Sequence, residues 1–317
     1  MIKQKTLKKE FSLTGKGLHP GPDVTISFCP APDDTGYRIC RTDLCGRPVI
    51  RAAAENATGT GNRTVLSENG IQVGSVEHGL AALYASGIDN CLIKIDAAEF
   101  PVLDGSAAVF MHQIQRAGIQ EQCRERVYYV ADRIIEYLDE TSDAHLILLP
   151  SSELKVYTQI FYDSEILDIQ SAVMQSLSEF PDQIAPCRTF VFIKDIEDLL
   201  QKETVAESHL MNCIVVYDEQ ICQQKLDRLT EFIRTEKRDA KAVGYIMNNP
   251  SRFPNEPARH KILDIIGDLS LTGRFIKGAI IAMRPEHPVN NRFARLISAE
   301  IRKESLPDCA SRAAVKA

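Results

Sequence analysis

The chain has 317 residues, enough for two modest domains or one large one. Hydrophobic residues make up 44% and charged residues 25%, which excludes extensive disorder, and a net charge of -6 argues against nucleic-acid binding, which needs a basic face. No apolar run reaches signal-peptide or membrane-span length, and nine cysteines without a C-x-x-C pair fit reduced thiols, so a cytoplasmic protein that is not an integral membrane protein is expected.

In chain order, Val24 to Phe28 alternates apolar and polar residues as a half-buried strand does, and Ala-Pro-Asp-Asp-Thr-Gly then turns the chain. Asn56 to Arg63, rich in Gly, Asn and Thr, reads as a flexible loop. Ser75 is placed to cap a helix in which Val76, Leu80, Leu83 and Tyr84 recur at helical spacing, with Gly87 closing it. Cys91 to Ile95 reads as a strand, Asp104-Gly105 as a turn and Phe110 to Ala117 as a helix. The polar stretch Gln120 to Arg126 is the linker candidate, dividing an N-terminal domain, 1–122, from a C-terminal one, 127–304.

A second cycle follows. Strands are expected near Val127 to Val130, Arg133 to Tyr137, His145 to Leu149, Glu153 to Phe161 and Cys213 to Tyr217. Helices are expected over Lys194 to Lys202, over the exposed Glu219 to Lys237, and over about Glu256 to Leu271, with Gly273 beyond. Gly278 to Met283 is strand-like, and 305–317 reads as a disordered tail. Each half thus holds strands, a Gly-closed helix carrying a histidine and a strand after it, a repeat of one α+β unit.

The segment from Glu256 to Asp268 is the most informative. On a helix, His260, Asp264 and Asp268 stand four apart and share a face. An imidazole and a carboxylate so spaced can close on one metal ion and suit zinc, although a His–Asp pair on a solvated helix face is the commoner explanation of that spacing alone. A catalytic zinc needs a third ligand, for which His78 in Ser75-Val-Glu-His is the candidate; a core or capping histidine would look the same. Glu77 suits a general base, or equally an acidic residue favoured by a helix N-terminus. His287, between two prolines, lies in what reads as a stiff loop. There it could be an inert loop residue or a general acid, held protonated by Asp268. Lys261 could bind an anionic substrate group or be an ordinary surface lysine. No P-loop, G-x-G-x-x-G, G-x-S-x-G or H-E-x-x-H motif occurs.

Taken together, Gly15-Lys-Gly-Leu-His-Pro-Gly, Ser75-Val-Glu-His, Gly87-Ile-Asp-Asn, Pro101-Val-Leu-Asp-Gly-Ser-Ala, Cys187-Arg-Thr-Phe, Arg259-His-Lys-Ile-Leu-Asp-Ile-Ile-Gly-Asp and His287-Pro-Val-Asn-Asn run in one order over nearly the whole chain. In this the chain resembles the UDP-3-O-acyl-N-acetylglucosamine deacetylases, zinc amidases of lipid A biosynthesis. The resemblance implies an α+β fold of two similar two-layer sandwich domains, related to ribosomal protein S5 domain 2, with an insert in each and the site between them. It implies His78, His260 and Asp264 as ligands of zinc, with iron(II) as the other metal suited to that set. Glu77 would be the general base, His287 the general acid with Asp268 as its partner, and Thr189 the oxyanion donor. Lys261 and Phe190 would contact a small-molecule substrate, and the chain would act as a monomer. Glu207-Ser208-His209 stands where the family usually has Gly-Gly-Ser, which would reshape the passage for the acyl chain. A deacylase on a related nucleotide sugar and a non-catalytic binding protein of the same fold are the competing expectations.

Overall fold

A computed structural model describes residues 2–17, 23–60, 63–196 and 210–305. Of the expectations above, the end of the Lys194–Lys202 helix, Glu207-Ser208-His209, part of the Gly15 motif and nearly all of the C-terminal tail lie outside those residues.

Two halves repeat one connectivity. After β1 (Lys3–Leu7), β2 (Phe11–Lys16) pairs antiparallel with β3 (Asp23–Pro30). β4 (Tyr37–Arg41) and β5 (Val49–Arg51) form a second antiparallel pair, and a small sheet of β6 (Ala57–Thr60), β7 (Arg63–Glu68) and β8 (Ile71–Gly74) is inserted after it. Helix α1 (Glu77–Ala85) then leads into β9 (Cys91–Ile95), which slots between the two pairs, antiparallel to β3 and parallel to β4. Helix α2 (Ala108–Ala117) packs on α1.

The second half follows β10 (Ile119–Glu125) and β11 (Tyr128–Val130). Strands β12 (Ile135–Asp139) and β13 (Ala144–Leu149) pair, as do β14 (Leu154–Phe161) and β15 (Ile169–Met174). The insert comprises β16 (Phe190–Phe192), β17 (Ile214–Tyr217), α3 (Gln223–Ile233) and β18 (Gly244–Ile246). Helix α4 (Glu256–Ser270) leads into β19 (Phe275–Met283), which slots between β13 and β14 with the same senses as β9, and α5 (His287–Ser305) closes the half. The two sheet orders, β2-β3-β9-β4-β5 and β12-β13-β19-β14-β15, correspond strand for strand.

Alternation along each strand turns one face inward. In β13 the buried residues are Ala144, Leu146 and Leu148; in β14 they are Leu154, Val156, Thr158 and Ile160. Helix α4 is different, since every residue but Arg259 is buried. It lies among β14, β15, α5 and α1, so its polar residues face protein rather than water. Among the described residues no helix is long and apolar enough to cross a membrane.

Several expected elements differ. Gln120 to Arg126 is no open linker, because Ile119–Glu125 form β10, antiparallel to β1. β10 leaves its side chains exposed on both faces, which is why its sequence is polar without alternation, whereas β1 buries Gln4, Thr6 and Leu7. Arg126 then ties the halves together: it donates to Asp89 at 2.7 and 2.8 Å and to the Gly87 carbonyl at 2.6 Å, and lies 3.8 Å over the Phe275 ring. Where a loop is expected over Asn56 to Arg63, Ala57–Thr60 form β6 and Arg63 begins β7. Ser75 does not cap α1; the N-cap is Val76, without a side-chain bond.

The halves meet most extensively where α1 lies on α4. A methyl group at Gly267 would stand 2.3 Å from the carbonyl oxygen of Glu77 and 2.9 Å from its carbonyl carbon, so the two backbones touch there. In an exposed helix Gly→Ala stabilises by about 1 kcal/mol. Here Gly267→Ala is expected to do the reverse, lowering stability in denaturant melts by about 1–3 kcal/mol through overpacking. A stabilised variant would overturn this reading of the contact.

Candidate metal centre and active site

His78 is the second residue of α1, and His260 and Asp264 are one turn apart on α4. The helix contact sets the two imidazoles perpendicular, at 89°, with ring centroids 5.0 Å apart. Asp264 Oδ1 lies 3.3 Å from His260 Nε2 and 4.0 Å from His78 Nε2, and one ligand atom from each residue falls within 4.8 Å of the others. His260 Nδ1–H donates to the Cys187 carbonyl at 2.9 Å, which leaves the Nε2 lone pair facing the cluster. Asp264 Oδ1 is buried with no hydrogen-bond partner among the described residues. A buried carboxylate oxygen with that vacancy, beside two imidazole nitrogens, fits a divalent metal ion. Its carboxyl is held well below the usual range: burial opposes the charge, but His260, His287, Lys261 and His78 outweigh it.

The expected base and acid flank this set. Glu77 is buried, and its Oε2 accepts the Thr64 N–H at 3.1 Å. Burial, with the nearby charges of Asp268 and Asp264, pushes its carboxyl up to about 7 against the opposing pull of His287. His287 begins α5 rather than lying in a loop, and Pro288 takes the first turn, where a missing N–H costs nothing. Its Nδ1–H donates to Asp268 Oδ2 at 2.9 Å, and its Nε2 stands 3.8 Å from Asp264 Oδ2, facing the metal set. Burial disfavours the imidazolium, yet Asp268 and Asp264 outweigh it and push the ring up to about 10, so it is protonated at neutral pH.

Lys261 Nζ sits 3.4 Å from both Asp264 Oδ2 and Glu286 Oε2, and 5.5 Å over the Phe190 ring. These anions, with Tyr162, overcome the desolvation of the ammonium and hold it charged. The Cys187–Phe190 segment is clamped by Arg188, which donates to Glu256 through its backbone N–H and Nε, both at 2.9 Å. Thr189 is fixed by its backbone, its N–H donating to Gly105 of the first half at 2.8 Å, and its hydroxyl bonds none of the described residues.

Thus the three expected ligands converge, Glu77, His287 and Asp268 join them, and Lys261 meets Phe190 beside Asp264. Residues missed by sequence reasoning are Thr64, Asn290 and Asn291, which bond to Asp268 or to one another, Glu286, which pairs with Lys261, and Tyr162, which donates to Glu286. Reading His287 as a helix start would have exposed Asn290 and Asn291, three and four residues on, as neighbours on one face.

The family model described as UDP-3-O-acyl N-acetylglycosamine deacetylase matches residues 4–240 and 239–299. A relative named bifunctional enzyme LpxC/FabZ, from Bacteroides thetaiotaomicron, is 48% identical over 302 residues, 95% of this chain and 66% of the relative. Its counterpart in Porphyromonas gingivalis is 47% identical over 303 residues, 96% of this chain and again 66% of the relative. The chain therefore spans just under two thirds of these relatives' length. The UDP-3-O-acyl-N-acetylglucosamine deacetylase of Marinobacter nauticus is 36% identical over 303 residues, 95% of this chain and 91% of the relative. With a family match over most of its length and such relatives beside it, the chain belongs to the UDP-3-O-acyl N-acetylglycosamine deacetylase family.

Proposed function

We propose that the chain, with 1–122 and 127–304 as its two domains, is a zinc-dependent amidohydrolase. Its substrate would be UDP-3-O-(3-hydroxyacyl)-N-acetylglucosamine, from which it removes the N-acetyl group as acetate, the committed step of lipid A biosynthesis. One observation carries the reading: a buried carboxylate, Glu77, and a protonated imidazole, His287, stand beside a His₂Asp set. The family and the names of the relatives support the substrate.

His78, His260 and Asp264 would hold the metal, and zinc suits this nitrogen-rich set; when bound it supplies a Lewis acid for the acetamide carbonyl and acidifies water. Glu77 takes the proton of the attacking water as its oxygen bonds to the carbonyl carbon. The Thr189 hydroxyl donates to the oxyanion that develops, and the imidazolium of His287 adds positive charge beside it. As the C–N bond breaks, His287 Nε2–H gives its proton to the departing nitrogen, which would otherwise leave as an amide anion. Acetate and a free amine result. Lys261 and Phe190 would bind substrate next to the metal, the ammonium meeting an anionic group.

Four outcomes test this. In a deacetylation assay, Glu77→Gln and His287→Ala are each expected to lower kcat by about 100-fold or more, and two near-normal variants would overturn the roles. The profile of kcat/KM against pH should be bell-shaped. Its acidic limb lies at or below about 7, and its basic limb, where His287 loses its proton, at or below about 10, because a metal cation lowers both groups from their metal-free positions. Asp268→Asn removes the charge that raises His287, so the basic limb should move to lower pH; an unmoved limb contradicts the dyad. A chelator should abolish activity and zinc restore it, whereas a purified chain that takes up no zinc would be a binding protein of the same fold.

A further inference from the structure

The first half's insert meets the start of α5 at the rung that pairs Gly59 with Thr64. Strands β6 and β7 pair antiparallel with Gly59 opposite Thr64. A methyl at Gly59 would lie 2.7 Å from the backbone nitrogen of Pro288 and 2.9 Å from the carbonyl carbon of His287, so β6 presses directly on the first turn of α5. Across the rung, Thr64 is wholly buried, and its hydroxyl donates to Asp268 Oδ1 at 2.5 Å. A hydroxyl has one proton to give, so the same oxygen accepts from Asn291 Nδ2 at 3.0 Å. His287 Nδ1 stands 3.3 Å from it, with its own proton directed to Asp268 Oδ2.

We propose that Thr64 is a positioning residue that fixes the Asp268 carboxylate and, through it, aims the His287 imidazole at the substrate nitrogen. The inference rests on the hydrolase reading above. Asp268 receives His287 and Asn290 on Oδ2, and Thr64 is the donor that the described residues offer to Oδ1. Without that bond the carboxylate can turn about its terminal torsion, and the imidazole bonded to it turns as well. The backbone N–H of Thr64 meanwhile holds Glu77 Oε2. One residue of β7 therefore spaces the base, through its amide, from the acid, through its hydroxyl.

Thr64→Val keeps the volume and β-branching and removes only the hydroxyl. With zinc content and melting checked, kcat should fall about 10- to 100-fold, the range for loss of a group that orients a working side chain. KM should stay within about three-fold, because the bond matters in the transition state and not in substrate binding. Thr64→Ser should recover most of kcat. In an Asp268→Ala background, Thr64→Val should change kcat by less than about two-fold, since its effect passes through Asp268. Nitrogen-15 histidine spectra give a readout independent of turnover: the His287 Nδ1–H resonance should persist in the wild type and Thr64→Ser and shift or vanish in Thr64→Val. An unchanged kcat and resonance in Thr64→Val, or an equal loss in the Asp268→Ala background, would overturn the proposal. A wild-type protein that deacetylates nothing would instead sink the hydrolase reading, while the resonance still decides whether Thr64 orders the dyad.

Discussion

The close approach of α1 to α4 is the constraint on which the site depends. Neither half holds a complete set of groups: Glu77, His78 and Thr64 come from the first, and His260, Asp264, Asp268 and His287 from the second. At Gly267 the backbone of α4 touches that of Glu77, and His78 is the next residue, so the helix separation there sets the distance from His78 to its partners. The far end of α1 is pinned separately. Tyr84 accepts the Ile276 N–H at 2.8 Å and stacks 4.5 Å from Phe275, while Arg126 spans from the Gly87 carbonyl to the same ring. A helix held at both ends against a buried neighbour cannot slide, which is what three ligands from two elements require.

The repeated connectivity explains how one unit serves two purposes. Helices α1 and α4 occupy equivalent places, each leading into the central strand of its sheet, and each brings residues of the candidate metal set to the shared surface. The inserts, which do not resemble each other, cross over. The first half's insert carries Thr64 to the His287–Asp268 pair of the second, and the segment leading into the second half's insert is tied through the Thr189 N–H to Gly105 of the first. Arg252 and Asp104 add an ion pair at 3.3 Å across the same seam. The framework is duplicated, and the chemistry is partitioned.

What could be read from the sequence was what local spacing encodes. Four-residue steps placed His260, Asp264 and Asp268 on one face of α4, and alternation marked β3. Thr64 was invisible for a physical reason: its partners Asp268 and His287 lie 204 and 223 residues away, and a threonine in a Gly/Thr-rich strand has no local signature. The same composition made β6 look like a loop, although Gly59 is small because α5 presses on it. His287 was misplaced because prolines on both sides suggest a loop, whereas proline in a first turn is ordinary helix chemistry. Gln120 to Arg126 reads like a linker because a strand exposed on both sides, as β10 is, has no buried face to impose alternation.

The charges of the site point the same way as its geometry. Four carboxylates, Glu77, Asp264, Asp268 and Glu286, gather around two cations, Lys261 and His287, and all but Glu286 are buried. Two negative charges are therefore left over, in a region where water cannot screen them. In the metal-free state burial, with the charges of Asp268 and Asp264 behind it, pushes Glu77 up to about 7, and its protonation relieves part of that excess. A divalent cation would remove the excess without a proton, satisfy the orphaned Oδ1 of Asp264, and leave Glu77 ionised to act as a base. An additional lysine or arginine could balance the charge as well, but it would fill the cluster with donors and leave no coordination position for water. The excess charge, the vacant oxygen and the raised carboxyl thus all fit a cluster able to hold a metal ion rather than one closed by its own hydrogen bonds.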